Sequence, residues 1–91
     1  MLDPATVKRS LALRLRQLRR AKGWSQEALA EEADMHRTYL AGIERSLRNP
    51  SLENLAKLAN ALGISLAELF TFPQGAAAPT ELPARKKPRR R

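Results

Sequence analysis

An all-α domain of five short helices followed by a disordered basic tail is the fold class predicted by these 91 residues. Three observations lead there. Apolar residues recur at spacings of three and four through residues 5–72, the period of a helix with one buried face. Ser, Asp, Asn and Gly stand at the breaks between these runs, where helix ends favour them. From residue 73 onward bulky apolar residues become sparse, and Pro, Ala, Lys and Arg take over.

Composition narrows the function classes. Only 4% of residues are aromatic, so the core must be built from Leu, Ile and Ala. Cysteine is absent and there is a single His, which excludes disulfides and a Cys/His zinc site. No apolar run approaches the roughly 20 residues that span a bilayer, and the first ten residues lack the apolar centre of a secretory signal. A cytoplasmic, nucleoid-associated bacterial protein is the expectation. Net charge is +8; residues 73–91 hold six Lys/Arg against one acid. That excess favours a polyanionic partner, nucleic acid before membrane.

The elements follow in order. Residues 5–22 are helical, with Asp3 and Thr6 as candidate caps and Val7, Leu11, Leu15 and Leu18 on one arc. Leu13 faces away from that arc. Gly23 is the C′ residue, and Trp24 plugs the helix junction. Ser25 caps a second helix from Gln26 to about Ala33. Asp34 makes the turn, since Asp tolerates a left-handed backbone. The third helix runs from about His36 to Arg45, although His is not a favoured N-cap. A fourth starts at Ser51, or at Asn49 with Pro50 in its first turn, and runs to Leu62, with Leu52, Leu55, Leu58, Ala59 and Leu62 inward. Ser65 and Glu68 form a capping box for a short fifth helix ending near Phe70. The domain therefore spans 5–72. Residues 73–91 cannot bury enough surface to offset their ordering entropy and are expected to be disordered.

The second and third helices, joined by about three residues, have a helix-turn-helix layout, in which the first helix lies across the DNA backbone and the second enters the major groove. On the third helix, at 100° per residue, Leu40, Ile43 and Leu47 gather on one side. Thr38, Ala41, Gly42 and Arg45 gather opposite, flanked by Arg37 and Tyr39. That outer side is small in the middle and rich in donors at its edges, a shape suited to a narrow polar groove. Glu44 falls near the inward side, where an unpaired carboxylate costs several kcal/mol. An ion pair with Arg19 is the expected remedy; the alternative is an exposed Glu44 paired with Arg48 at i+4.

The fragments SQEALA, RTYLAGIER, NPSLENLAKLANALG and ISLAELF resemble the Xre family, the Cro and lambda-repressor type of helix-turn-helix domain, over about residues 8–72. HRTYLAGIER is also similar to the recognition segment of restriction–modification controller proteins, a dimeric branch of that family. The resemblance implies a five-helix domain that binds a two-fold operator as a homodimer. It places His36, Arg37, Thr38, Ala41 and Gly42 at base-contacting positions. Ser25, Gln26, Tyr39, Arg45, Arg48 and Asn49 fall to phosphates. Arg19 and Glu44 match a structural pair. Arg37 has the geometry for a bidentate contact with guanine O6 and N7. Two departures stand out: Asp34 and Ser46 occupy positions where the family often has Gly.

The function expected is that of a sequence-specific transcriptional regulator of double-stranded DNA that blocks or recruits RNA polymerase. It needs no cofactor, no metal and no small-molecule ligand. A helix-turn-helix antitoxin and a nonspecific nucleic-acid-binding protein are the alternatives. An enzyme is not expected, because no carboxylate pair stands with a His or metal set. Leu66, Leu69, Phe70 and Phe72 are the candidates for a dimer surface, since a short terminal helix has more apolar groups than one small core can use.

Overall fold

The computed structural model describes residues 3–72, and the expectations for the basic tail lie outside them. Five helices make up the described chain: α1 Pro4–Ala21, α2 Gln26–Glu32, α3 Arg37–Glu44, α4 Leu52–Leu62 and α5 Leu66–Leu69. α1 packs on α3 and α5, α2 on α3 and α4, and α4 on α5.

Each helix begins on a side-chain cap. Asp3 accepts the Thr6 amide at 3.1 Å, with Pro4 in the first turn, so Asp3 and not Thr6 caps α1. Ser25 accepts from Ala28 and Ser51 from Asn54, each at 3.1 Å. Ser65 and Glu68 close a reciprocal box at 3.0 and 2.9 Å. Such caps satisfy amides that have no partner inside the helix, each contributing about 1 kcal/mol. His36 caps α3 after all: its ring Nδ1 accepts the Thr38 amide at 3.1 Å. Nδ1 sits as many bonds from Cα as the side-chain oxygen of Asn, so the ring reproduces an Asn cap.

The core is aliphatic, as the low aromatic content requires. Leu11 and Leu15 of α1 meet Leu29 and Ala30 of α2, Leu40 and Ile43 of α3, Leu58 and Leu62 of α4, and Leu69 of α5. Each fully buried Leu or Ile contributes roughly 1.5–3 kcal/mol. Trp24 is half-buried against this cluster, with Lys22 Nζ 5.1 Å from its ring centroid. Arg14 joins α1 to α5 by donating to the Glu68 carbonyl at 2.8 Å. Burial lowers the Arg14 pKa from its ordinary value, and the Glu68 charge opposes that shift.

Three expectations about apolar positions are corrected. Leu47 is 67% exposed, because α3 stops at Glu44 and Ser46 turns left-handed (φ 63°), carrying Leu47 off the buried stripe. Leu52 is 73% exposed, because it opens the first turn of α4, outside the packed core. Leu69, a dimer candidate, is fully buried at 0% and belongs to the core of its own chain. Leu66 of α5 and Phe70 at its C-cap stay exposed, and Phe72 lies edge-on to Phe70 with ring centroids 5.8 Å apart.

Candidate nucleic-acid interface

The position of α3 is set from behind. Glu44 is 1% exposed and its carboxylate is held by three donors from two other helices. Arg19 Nε reaches Oε2 at 2.8 Å and Arg19 Nη2 reaches Oε1 at 3.0 Å. Gln26 Nε2 donates to Oε1 at 2.9 Å. Arg19 Nη1 also donates to the Trp24 carbonyl at 2.9 Å. The two-point Arg–carboxylate geometry is the strong form of this contact. The i+4 alternative with Arg48 is not formed. α1, the start of α2 and the end of α3 thus meet at one carboxylate, and α3 cannot roll without breaking it.

Backbone geometry fixes the same helix at both ends. Asp34 at φ 54° turns the chain between α2 and α3, and Ser46 at φ 63° turns it away after α3. Left-handed geometry costs a non-glycine residue roughly 1–2 kcal/mol. The Leu47 amide closes the second turn by donating to the Gly42 carbonyl at 2.8 Å.

The outward side of α3 carries His36, Arg37, Thr38 and Arg45, all exposed, with Ala41 half-exposed between them. Ser25, Arg48 and Asn49 are exposed beside it, and Gln26 and Tyr39 are half-buried. Gly42 departs from expectation: it is buried. The Arg48 side chain folds across it, so close that a Cβ on Gly42 would stand 2.5 Å from Arg48 Cγ. The Arg48 guanidinium lies over the Tyr39 ring at 5.9 Å. Gly42 therefore serves as a seat for Arg48 and is not an open contact point.

Two contacts escaped the sequence. Asn54 of α4 donates through Nδ2 to the Tyr39 hydroxyl at 3.1 Å, fixing that phenol. Gln26 of α2 donates through Nε2 to Glu44 Oε1 at 2.9 Å, joining the lock on α3. Neither leaves a periodic signal, since both depend on how separate helices meet. Among the described residues no group of His, Cys, Asp and Glu could hold a metal ion, and no helix is long and apolar enough to cross a membrane.

A family model described as "Helix-turn-helix" matches residues 15–69, more than half of the chain. The chain belongs to the helix-turn-helix family. Among curated relatives, "Control protein C.BamHI" of Bacillus amyloliquefaciens is 48% identical over 60 residues, which is 65% of this chain and 74% of that protein. Among solved structures, the hypothetical transcription factor NHTF from Neisseria is 39% identical with a TM-score of 0.73, covering 82% of this chain and 86% of its own. The restriction–modification controller C.Esp1396I, solved as a tetramer in complex with its natural 35 base-pair operator, is 31% identical with a TM-score of 0.66 over 70% of this chain and 84% of its own. In this helix-turn-helix protein α2 and α3 are the paired elements, and the lock at Glu44 ties them to α1.

Proposed function

We propose that the chain is a sequence-specific transcriptional regulator that binds a two-fold operator on double-stranded DNA as a homodimer, with α3 in the major groove. The observation that carries this reading is the two-sided character of α3. Arg37, Thr38 and Arg45 project outward, while Glu44 behind them is clamped by Arg19 and Gln26. A rigid helix with donors on its free side suits base edges. His36, Arg37, Thr38 and Ala41 are assigned to bases. Ser25, Gln26, Tyr39, Arg45, Arg48 and Asn49 are assigned to the backbone phosphates on either side. Leu66, Phe70 and Phe72 form the dimer surface in this reading.

The control-protein relatives and the operator complex of C.Esp1396I support a regulator that acts through occupancy of a promoter, with RNA polymerase blocked or recruited there. The reading is noncatalytic and calls for no cofactor, and it places the protein in the bacterial cytoplasm on DNA.

Selection from a library of random duplexes tests it, with Arg37→Ala in parallel. The wild type should enrich a site with two-fold symmetry. Arg37→Ala should relax preference at one position of each half-site, a loss of roughly 1–3 kcal/mol of discrimination. No enrichment by the wild type would defeat the reading; an unchanged preference in the variant would remove Arg37 from the base-reading set.

A further inference from the structure

A pocket of about 340 Å³ opens between α1 and the C-terminal end of α3. Arg9 and Arg16 of α1 line it together with Arg45, and Ala12, Leu13 and Ser46 complete the wall. Arg9 and Arg16 are seven residues apart, two helical turns, so they share one side of α1 with Leu13 between them. Leu13, which faces away from the core, is thus part of this wall.

The charge of this pocket is uncompensated. Among the described residues none of the three arginines makes an ion pair. Arg9 donates to the Thr6 hydroxyl at 3.3 Å, a neutral partner. Glu44 also borders the pocket, but its carboxylate is already engaged by Arg19 and Gln26. The end of α3 contributes about half a negative charge, against three full positive ones. The amides of Arg45, Ser46 and Leu47 are bonded to α3 carbonyls, so any anion here is met by side chains alone.

The pocket is also continuous with the face of α3. Arg45 belongs to both, standing on the outward side of α3 and at the pocket edge. Arg9, Ala12 and Leu13 lie on α1 upstream of residues 15–69, where the family model matches, and Arg16 and Arg45 lie within them, so the pocket joins the N-terminal half of α1 to the end of α3.

We propose that Arg9, Arg16 and Arg45 seat a DNA backbone phosphate, carrying the footprint beyond the α2–α3 pair along one strand by way of α1. This rests on the reading of the chain as a DNA-binding regulator. The seat adds affinity and fixes register without reading sequence, since a phosphate is the same at every base pair.

The test uses the full chain, the site enriched by the library, and the double variant Arg9→Gln with Arg16→Gln. Binding is followed from 50 to 200 mM salt. The slope of log Kobs against log salt should become shallower by about 0.9 for each phosphate released. Over that range the wild type then loses roughly 3.5-fold more affinity than the variant per phosphate. Base preference should stay the same, and the pair Arg9→Lys with Arg16→Lys should restore the slope. A neutral methylphosphonate is then moved along the strand flanking the site. At one position it should weaken the wild type and leave the double variant indifferent. Equal sensitivity of the two proteins at every position would overturn the seat even with an altered slope, because a general loss of charge has no position. If that result accompanies a normal response to Arg37→Ala, the regulator reading stands and the seat alone falls. A wild type without base preference overturns both.

Discussion

At the scale of single residues, Glu44 is the group on which the site depends most directly. A carboxylate at 1% exposure is tolerable only because three donors surround it. Replacing a buried ion pair by apolar groups can be neutral, but removing one partner is not, since the other charge is left without compensation. Glu44→Ala should therefore destabilise the domain by about 3–5 kcal/mol. Urea denaturation followed by helix content measures it, and an unmoved midpoint would contradict the lock. The pair was legible in the sequence because Glu44 falls on the inward arc and Arg19 at the edge of another. The third donor was not. Gln26 opens α2, a position that explains itself as a surface contact, and nothing in its spacing reveals that α2 crosses α3 at Glu44.

At the scale of the element, α3 is a short helix held by its ends. Eight residues are too few for a helix to persist alone. Its stability comes from Leu40 and Ile43 in the core, the ring cap at His36 and the two left-handed residues that flank it. Ser46 is the strained one, since Asp bonds locally in this conformation more readily than Ser. Ser46→Gly should relieve roughly 1–2 kcal/mol of strain while adding about 0.4–1 kcal/mol of unfolded-state entropy. The net expected is a gain in unfolding free energy of up to about 1.6 kcal/mol, read as a higher urea midpoint at unchanged slope; a loss would mean that the Ser46 side chain does more than tolerate the turn.

Helix starts were legible to within a residue or two, because Ser and Asp caps mark most of them locally, while His36 and the choice between Ser51 and Asn49 were not settled by residue type. Helix ends were read less well. Leu47 was assigned to the buried stripe by extending a period through Arg45 and Ser46, where the backbone had already changed hand. The same turn brings Arg48 back over Gly42, so the covering of that glycine was equally hidden from helical periodicity.

At the scale of the whole molecule, charge is distributed over three places: the face of α3, the pocket beside α1 and the sequence beyond residue 73. In the proposed reading residues 3–72 supply specific binding, and the sequence from 73 to 91, with six of the chain's Lys and Arg, adds nonspecific attraction. Deleting residues 80–91 should weaken binding to the selected site and to random duplex by the same factor and flatten the salt slope. Gel-shift titrations at two salt concentrations measure both. A loss confined to the selected site would mean that the tail reads bases. Of the residues proposed for the dimer surface, Leu69 is removed by its burial. The surplus of apolar groups on α5 is real, but Leu69 faces inward while Leu66 and Phe70 remain outside. A four-residue helix gives too short a period to assign its faces from sequence.

The ring nitrogen that receives the Thr38 amide fixes where the proton of neutral His36 must reside. With Nδ1 occupied as acceptor, Nε2 carries the hydrogen, so the imidazole meets whatever lies beyond it as a donor. Guanine O6 and N7 or a phosphate oxygen would welcome that hydrogen. The exocyclic amines of adenine and cytosine would oppose it, hydrogen against hydrogen. In the proposed complex, the bond that starts the helix thereby also restricts which base edges this imidazole can face.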